Sequence, residues 1–334
     1  MENISAAPYE PTEACRAANR ALYNFYATVT IVIFTLALPL NASVLHLFIF
    51  KLRFWKLNTN NIFLFNLVLA DVLLLFCLPM KAYNFTNGYR RSVNEVLCKA
   101  TLFMLFLNRG ASIAFLTVTS IDRYFSVVHP GRKNLVKALK KFPEISILIW
   151  LLLPPLTIPT MVTNFECCNT HKHEKHDTLI KDVLDSMREV VFFTQVLVPF
   201  VILTYCTVHI INRLRRRTVG DTAKLRRAVF LVMSVMVVFS FCFLPCAVAR
   251  MVLLVVKVQE LSESEQEKAV VAFDGLMVLS FMDCLLDPLV YCFCSTKFKT
   301  LYFSNYFPFL VKRPSIPLNS SVGKTMQPVC SNAT

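Results

Sequence analysis

Glycine and charged residues are scarce in this sequence. The 334-residue chain contains only 6 glycines, and Asp, Glu, Lys and Arg together make up 17% of it, against about 25% in a typical soluble domain. No Gly- or Ser-rich linker divides the chain, which predicts one domain. The alternating apolar–polar pattern of a membrane β-barrel is also missing. Apolar residues make up 55% of the chain and come in long blocks, which is not the pattern of an ordinary soluble domain.

Seven of these blocks are long enough to cross a membrane. A span needs about 20 mostly apolar residues, and a helix satisfies its backbone hydrogen bonds inside lipid. We therefore predict an all-α membrane protein, a seven-transmembrane helix bundle with a short amphipathic helix after the seventh span. No inverted repeat with Gly-broken segments is present, which argues against a secondary transporter. The predicted spans are residues 23–50, 60–85, 97–121, 144–163, 189–211, 228–256 and 270–294.

The distribution of basic residues predicts the orientation. Lys and Arg concentrate in three loops, near 51–56, 131–141 and 213–227, and in the tail. By the positive-inside rule these parts face the cytoplasm, so the N-terminus is expected outside a plasma membrane. The first twenty residues lack the apolar core of a cleavable signal peptide, so the first span is expected to act as the anchor. The net charge of +14 is thus an orientation signal, with some contact to anionic lipids; nucleic-acid binding is not expected.

These patterns divide the chain into four segments. Residues 1–22 form an extracellular N-terminal tail, and residues 23–294 form the bundle. Residues 295–311 alternate basic and aromatic side chains, which predicts an amphipathic helix on the inner membrane surface. Residues 312–334 are rich in Pro, Ser and Asn and are expected to be a disordered cytoplasmic tail.

Four cysteines fall on the external side, where disulfides persist. They are Cys15, Cys98, Cys167 and Cys168. Adjacent Cys167 and Cys168 are not expected to pair with each other. One of them is expected to reach Cys98 and the other Cys15, and the sequence leaves both assignments open.

Other external features are weaker. Asn3 lies in a glycosylation sequon and is the preferred acceptor, because the sequon at Asn84 is close to the membrane. Three histidines at 171, 173 and 176 lie in a Lys/Glu-rich loop. We interpret them as solvated charge rather than a metal site.

Ionisable residues inside spans are expected to be functional. They are Asp71, Arg109, Asp283 and Asp287. Asp283 and Asp287 lie one helical turn apart and share a face, and Ser112 adds a hydroxyl one turn after Arg109. These oxygens suit a sodium ion or a proton, with one carboxyl protonated because like charges repel. The alternative is a water-bridged polar network without an ion.

Arg109, in "MLFLNRGASIAFL" (104–116), has two interpretations. A guanidinium can bind a ligand carboxylate through two parallel hydrogen bonds. Alternatively, because buried charges need partners, it can pair internally with Asp283. Both hold if a ligand competes with Asp283 for the arginine.

A ligand-binding region is predicted in the outer half of the bundle. Arg250 and Lys81 lie near the external mouth, where they would attract an anion or, alternatively, extend to water. Tyr83, Phe106 and Phe281 would line an apolar pocket for a fatty-acid tail, although any bundle core contains such residues.

The cytoplasmic half carries candidate switch residues. Asp122, Arg123 and Tyr124 form a D-R-Y triplet at the inner end of the third span, with a local charge pair expected between the first two. Prolines predict kinks in the sixth and seventh spans, which either allow motion or only shape the bundle. These motifs hold Phe243, Pro245, Pro288 and Tyr291, and other breaks are predicted at Pro79, Pro154, Pro155, Pro159 and Pro199.

Together these motifs resemble the rhodopsin-like (class A) G-protein-coupled receptors over residues 23–311. The resemblance rests on Asn41, "LxxAD" at 67–71, Cys98, "DRY" at 122–124, Trp150, Pro199, "CFLP" at 242–245 and "DPLVY" at 287–291. "LNRGASIAFLTV" (107–118) and "DRYFSVVHP" (122–130) look like the hydroxycarboxylic acid receptors and the oxoeicosanoid and hydroxyeicosatetraenoic acid receptors.

The resemblance implies a receptor for an extracellular carboxylate, a hydroxy or oxo fatty acid or a small hydroxycarboxylic acid. It implies that Arg109 anchors the carboxylate, that inhibitory Gi/o proteins are the partners, and that arrestin is a further candidate partner. The alternative is a different anionic or lipid ligand.

Several positions depart from the pattern of many class A receptors. Phe243 stands where many of them have tryptophan, Thr207 where many have a switch tyrosine and Asp287 where many have asparagine, and the changes at 243 and 287 are common in this branch. Two positions depart from the small-acid relatives themselves, since Phe281 replaces a ligand-binding tyrosine and Asp283 an asparagine.

Three other functional classes are alternatives. An intramembrane enzyme could use Asp71 and Asp287 as a carboxylate pair, but the chain has no G-x-G-D or H-E-x-x-H motif, so we predict that it is not an enzyme. The second alternative is a channel or pump with a carboxylate relay, and the third is a ligand-independent or scavenging receptor.

Overall fold

The structure is a computed structural model that describes residues 15–17, 19–51, 59–129, 142–162, 168, 178–216, 222–294 and 296–307. Within these ranges the chain forms eleven α-helices, and a π-helical segment, Leu47–Lys51, continues the first one. The helices are α1 (Arg20–His46), α2 (Thr59–Leu75), α3 (Leu78–Thr86), α4 (Glu95–Val128), α5 (Phe142–Val162), α6 (Thr178–Arg216), α7 (Thr222–Cys242), α8 (Leu244–Val258), α9 (Glu263–Ser280), α10 (Asp283–Cys294) and α11 (Thr296–Tyr306).

Seven helical stretches account for the predicted spans. Six are long and apolar enough to cross a membrane, and the apolar part of the fourth, Glu144–Ile158, is shorter. The second span consists of α2 and α3, the sixth of α7 and α8, and the seventh of α9 and α10. The prediction of an all-α seven-helix bundle is confirmed.

Three spans are interrupted, and prolines account for two of the breaks. The second span breaks at Phe76–Cys77 and the sixth at Phe243. Pro79 and Pro245 follow in the first turn of the next helix, where a missing N–H costs no hydrogen bond. The seventh span breaks at Phe281–Met282, where backbone hydrogen bonds reach back three residues instead of four.

Pro288 itself does not break the seventh span, because α10 continues through it. A proline leaves the carbonyl four residues earlier without its helical donor, and that carbonyl belongs to Cys284. The Asn41 side chain of α1 supplies the donor, since its Nδ2 lies 2.9 Å from the Cys284 oxygen. The structure describes only the backbone of Tyr291, which lies in α10.

The breaks expected at four other prolines are wrong. α5 and α6 are continuous, because surrounding groups in a bundle can satisfy the carbonyls that prolines leave open. The prolines concerned are Pro154, Pro155, Pro159 and Pro199.

Several helices are longer than the predicted spans, and α4 and α6 are two examples. α4 begins at Glu95, where the Asn94 side chain accepts a hydrogen bond from the Leu97 amide at 3.1 Å, and continues to Val128. α6 begins at Thr178, eleven residues before the predicted start of its span. Hydropathy identifies only the part of a helix that lies in lipid, so polar extensions at either end are missed.

α4 lies at the centre of the bundle and contacts α2, α5, α6 and α7. Gly110 allows α5 to come close, since a Cβ at this position would lie 2.7 Å from Cδ2 of Leu153. Many residues on the central part of α4 are therefore buried, including Arg109.

The last helix packs against the end of the first. The ring of Phe298 on α11 stacks on Phe48 at 5.3 Å. The hydroxyl groups of Tyr302 and Tyr306 bond the side chain and the carbonyl of Ser43, each at 3.1 Å. These aromatic contacts fix α11 to the end of the bundle opposite the external loops.

Candidate ligand-binding site

A cavity of about 320 Å³ opens between α4, α6, α8 and α9 in the outer half of the bundle. This volume lies within the range of ligand pockets, roughly 300–1,000 Å³. We call it the outer cavity. Apolar side chains form about half of its wall, and four basic and two acidic residues give it a net positive charge. It is lined by Arg91, Leu102, Phe106, Asp185, Arg188, Glu189, Phe192, Arg250, Leu253, Leu254, Lys257, Phe273 and Met277.

An ion pair crosses the outer cavity from α6 to α8. Arg250 donates from Nε to Oε2 of Glu189 at 3.0 Å and from Nη2 to Oε1. Arg188 also donates to Oε1, at 3.0 and 3.2 Å. The Arg250 guanidinium lies 5.4 Å from the centre of the Phe273 ring. Arg250 therefore lines the cavity as the sequence predicts. Its ion pair with Glu189 was not predicted.

A second, much smaller cavity of about 20 Å³ lies deeper and touches Arg109. This inner cavity has room for about one water molecule. Leu102, Phe106 and Met277 line both cavities, so these three side chains separate them. The inner cavity is lined by Leu74, Leu102, Leu105, Phe106, Asn108, Arg109, Phe243, Met277, Ser280, Phe281 and Asp283.

Arg109 is 8% exposed and reaches three other spans. Its Nη2 donates to Cys246 Sγ on α8 at 3.1 Å and to Ser280 Oγ on α9 at 3.2 Å. Its guanidinium carbon lies 5.2 Å from the centre of the Phe192 ring on α6. Each of these partners is neutral.

The predicted internal pair between Arg109 and Asp283 is not formed. Arg109 has no carboxylate within 4.0 Å among the described side chains. Asp283 instead accepts hydrogen bonds from the backbone N–H of Cys284 at 2.7 Å and from its thiol at 3.4 Å. The reason is local, because Asp283 begins α10 after the break in the seventh span, and its carboxylate caps that helix.

Tyr83 does not line the pocket as predicted. Tyr83 is 66% exposed and lines neither cavity. After the break at Phe76–Cys77, the buried face of α3 carries Lys81, Ala82 and Phe85, and Tyr83 points away from it. Phe106 and Phe281 do line the inner cavity.

Lys81 also differs from both of its predicted roles. It is 5% exposed, so it neither extends to water nor lines a cavity. Its Nζ donates to the carbonyl of Arg90 at 3.1 Å and lies 4.6 Å from the centre of the Phe85 ring. Lys81 therefore joins α3 to the loop that follows it.

A buried ionic cluster at the same end was not predicted. Asp274 on α9 accepts hydrogen bonds from the Tyr23 hydroxyl at 2.7 Å and from Arg90 Nε at 2.9 Å. Burial lowers the pKa of Arg90, but the Asp274 carboxylate raises it above its usual value, so Arg90 stays charged. Asp274, a single acid in the apolar run "VVAFDGLMVLS" (270–280), was the available signal. The cluster ties the first span and the external loop to the seventh span.

The carboxyl groups deeper in the bundle are buried. Asp71, Asp283 and Asp287 are at most 1% exposed. Both oxygens of Asp287 and the hydroxyl of Ser112 have no hydrogen-bond partner in the described part of the chain. No group of three His, Cys, Asp or Glu side chains placed to hold a metal ion occurs among the residues that the structure describes.

The cytoplasmic end holds the D-R-Y residues. Arg123 Nε lies 3.8 Å from Oδ2 of Asp122, within ion-pair distance. The Tyr124 hydroxyl lies 3.2 Å from His129 Nε2 and 3.4 Å from the hydroxyl of Tyr205 on α6. The third and fifth spans are thus in contact at this end.

The disulfides resolve one of the open pairings. Cys98 at the start of α4 is bonded to Cys168, which confirms the expected link between the third span and the following external loop. Cys15 is also disulfide-bonded, and its partner is not among the described side chains. Cys167 and Asn3 lie outside the described residues. The chain next to Cys15 is held by a β-bridge between Arg16 and Tyr89.

The chain thus forms seven membrane spans, three of them interrupted, with a pocket in the outer half of the bundle. A family model described as "7 transmembrane receptor (rhodopsin family)" matches residues 40–291. The chain therefore belongs to the rhodopsin (class A) family of G-protein-coupled receptors. It is a receptor in the plasma membrane, not an enzyme, and its partners are a heterotrimeric G protein and a small-molecule ligand.

The chain is also similar to individual receptors over most of its length. It is 33% identical over 296 residues to the 12-(S)-hydroxy-5,8,10,14-eicosatetraenoic acid receptor of Mus musculus, covering 86% of this chain and 90% of the relative. Identity to hydroxycarboxylic acid receptor 2 of Homo sapiens is 32% over 288 residues, with coverage of 82% and 74%. Hydroxycarboxylic acid receptor 1 of Homo sapiens is 29% identical over 315 residues, with coverage of 94% and 88%.

Proposed function

We propose that this receptor is activated by an extracellular carboxylate and that Arg109 binds the carboxylate group. The observation that carries the proposal is that Arg109 is a buried cation whose partners are a thiol, a hydroxyl and an aromatic ring. A buried cation whose hydrogen-bond and ring partners are neutral gains strongly from an anion that bonds it directly. The names of the similar receptors, which bind hydroxy acids, support the same ligand class.

The ligand enters through the outer cavity. Because the inner cavity holds only about 20 Å³, a carboxylate reaches Arg109 only after Phe106 and Met277 move aside. The apolar wall of the outer cavity then accommodates the hydrocarbon part of the acid. The alternative is a different anionic or lipid ligand. Comparing an acid with its uncharged ester shows whether the carboxylate is required.

The position of the site explains how binding changes the bundle. Phe243 and Phe281 line the inner cavity and also lie at the breaks of the sixth and seventh spans. A ligand that moves these side chains acts where the helices are interrupted. It thereby favours one of two packings of the bundle through its different affinity for each.

The receptor signals through inhibitory Gi/o proteins under this proposal, with its N-terminus outside and its C-terminus in the cytoplasm. Arg123 and the basic loops contact the G protein, and arrestin is a further cytoplasmic partner. The positive-inside distribution of Lys and Arg supports the orientation. The contact between Tyr124 and Tyr205 holds the third and fifth spans together before they part.

The test compares carboxylic acids with their methyl esters in cells that express the receptor. Lactate, 3-hydroxybutyrate and hydroxyeicosatetraenoic acids are applied, and inhibition of cyclic AMP is measured with and without pertussis toxin. We expect acids to act, esters to be inactive, and Arg109→Gln to abolish the response at equal surface expression. Activity of an ester equal to that of its acid, or an unchanged response of Arg109→Gln, refutes the proposal.

A sodium ion or a proton at the deeper carboxyl groups is part of this proposal. Asp71, Ser112, Asp283 and Asp287 would hold it. The Asp287 oxygens and the Ser112 hydroxyl are buried without a partner among the described groups, which suits a cation. Agonist affinity should fall as sodium chloride replaces choline chloride, and Asp71→Asn should remove this dependence. Equal salt sensitivity of wild type and variant speaks against the site.

A further inference from the structure

The ion pair in the outer cavity retains capacity for another hydrogen bond. Oε1 of Glu189 accepts from both Arg188 and Arg250, whereas Oε2 accepts only from Arg250 Nε. The Nη1 group of Arg250 makes no hydrogen bond to a described residue. One acceptor and one donor on neighbouring side chains therefore remain available on the cavity wall, and a hydroxyl group can both donate and accept.

This pair lies about one helical turn outside Arg109. On α8, Arg250 is four residues beyond Cys246, which accepts from Arg109. On α6, Glu189 is three residues before Phe192, whose ring covers Arg109. At 1.5 Å of rise per residue, the two helices place the pair about 4.5–6 Å farther out. The apolar side chains that line both cavities lie between the two polar centres.

We propose that Glu189 and Arg250 recognise a hydroxyl group on the ligand and thereby select hydroxy fatty acids over fatty acids that lack a hydroxyl. This inference rests on the proposed function, in which Arg109 binds the carboxylate. Small 2- and 3-hydroxy acids lack a hydrocarbon chain that packs against the apolar side chains of the cavity, so they lose the free energy of that burial. A hydroxy fatty acid makes both polar contacts and packs its chain against these side chains.

A hydroxyl fits the pair better than a second anion does. An anion gains full access to Arg250 only by displacing Glu189, which two arginines hold, and breaking such a pair is costly. A hydroxyl joins the pair without breaking it. Because the pair is satisfied in the absence of ligand, the penalty for an acid that lacks the hydroxyl is moderate. A hydrogen bond to a charged group corresponds to about a tenfold or larger gain in affinity.

The test measures potency ratios in membranes that contain the full-length receptor. Binding of a non-hydrolysable GTP analogue is stimulated with eicosatetraenoic acid, with its 5-, 8-, 12- and 15-hydroxy derivatives, with lactate and with 3-hydroxybutyrate. In the wild type we expect at least one hydroxy derivative to be about tenfold or more stronger than the parent acid. The two small acids should be the weakest of the panel.

The variant Glu189→Leu/Arg250→Met removes both charges at similar volume. It should reduce the preference for the hydroxy derivative to about twofold or less, by lowering the potency of the hydroxy derivative more than that of the parent acid. The matched control, Glu265→Leu/Lys268→Met, removes an exposed ion pair outside the cavity and should leave the ratio unchanged. If the double variant does not reach the membrane, Glu189→Gln, which keeps the size of the side chain, should still lower the ratio severalfold.

Each outcome is decisive. A ratio that persists in the pair variants, or a wild type that does not distinguish parent from hydroxy acids, overturns this inference. In either case loss of response in Arg109→Gln leaves the proposed function intact. Equal loss of potency for parent and hydroxy acids in the double variant places the carboxylate at Arg250 and overturns both. A wild type that responds to none of the acids also overturns both.

Discussion

Replacing Arg109 by methionine should not destabilise the ligand-free receptor. Arg109 gains two hydrogen bonds to neutral acceptors, of which the bond to the thiol is weak, and a cation–π contact of about 2 kcal/mol. Against this stands the cost of placing an arginine at the centre of a span, about 2.5–3.5 kcal/mol or more. The two nearly cancel, so the free energy of unfolding should change by no more than about 1–2 kcal/mol.

The neighbours of Arg109 tolerate its removal. Ser280 still donates its hydroxyl to the carbonyl of Met277 at 2.7 Å, and the Cys246 thiol is a weak acceptor that needs no partner. The variant therefore leaves no unpaired charge. If Arg109 were instead the internal partner of Asp283, its loss would cost about 3–5 kcal/mol, because a carboxylate would be stranded in the bundle.

The assay is a double-mutant cycle on purified receptor in lipid nanodiscs without ligand. Thermal midpoints are measured for wild type, Arg109→Met, Asp283→Asn and the double variant. Independent effects add within about 0.5 kcal/mol, and we expect additivity. A large drop in both single variants together with a coupling above about 1 kcal/mol would refute the reasoning. Saturating agonist should stabilise the wild type by about 2.7 kcal/mol at 100 times its Kd and leave Arg109→Met unchanged.

Two further predictions concern the external end. Asp274→Asn should cost about 3–5 kcal/mol of stability, because it leaves a buried arginine without its carboxylate. Tyr23→Phe removes one hydrogen bond at 2.7 Å and should cost about 1.5–3 kcal/mol. Thermal midpoints rank the two variants, and the opposite order would contradict the role of the cluster. Cys168→Ser opens the bond to Cys98, which closes a loop of 70 residues, and should cost roughly 4 kcal/mol. Surface expression measures this loss, and the free Cys77 provides the Cys77→Ser control, which should behave like the wild type.

The sequence predicts the spans because transfer into lipid depends on local composition. Twenty apolar residues identify a span wherever the neighbouring helices lie. The same reasoning misses the helix ends, since α4 continues through Asp122 and α6 begins at Thr178 with polar residues. It also misplaces side chains after a break. Tyr83 follows the interruption at Phe76–Cys77, and no residue pattern specifies which face of α3 is buried after it.

The residues of the site also divide into those that the sequence predicts and those that it does not. Arg109 stands out because a cation inside an apolar run is costly, and that cost depends on its own span. Glu189 and Asp274 were missed because their roles depend on partners in other parts of the chain, Arg250 and Arg90. The expected pair with Asp283 failed for the related reason that a helix break gave that carboxylate a local use as a cap.

One chain of contacts links the outer cavity to the helix breaks. Met277 separates the two cavities, and its carbonyl accepts the Ser280 hydroxyl, whose oxygen accepts from Arg109. The seventh span is interrupted immediately afterwards, at Phe281–Met282. A carboxylate that moves Met277 and binds Arg109 therefore acts on the Arg109–Ser280 bond next to that interruption. A ligand bound only in the outer cavity leaves this bond in place, so occupancy of the outer cavity alone should not activate the receptor.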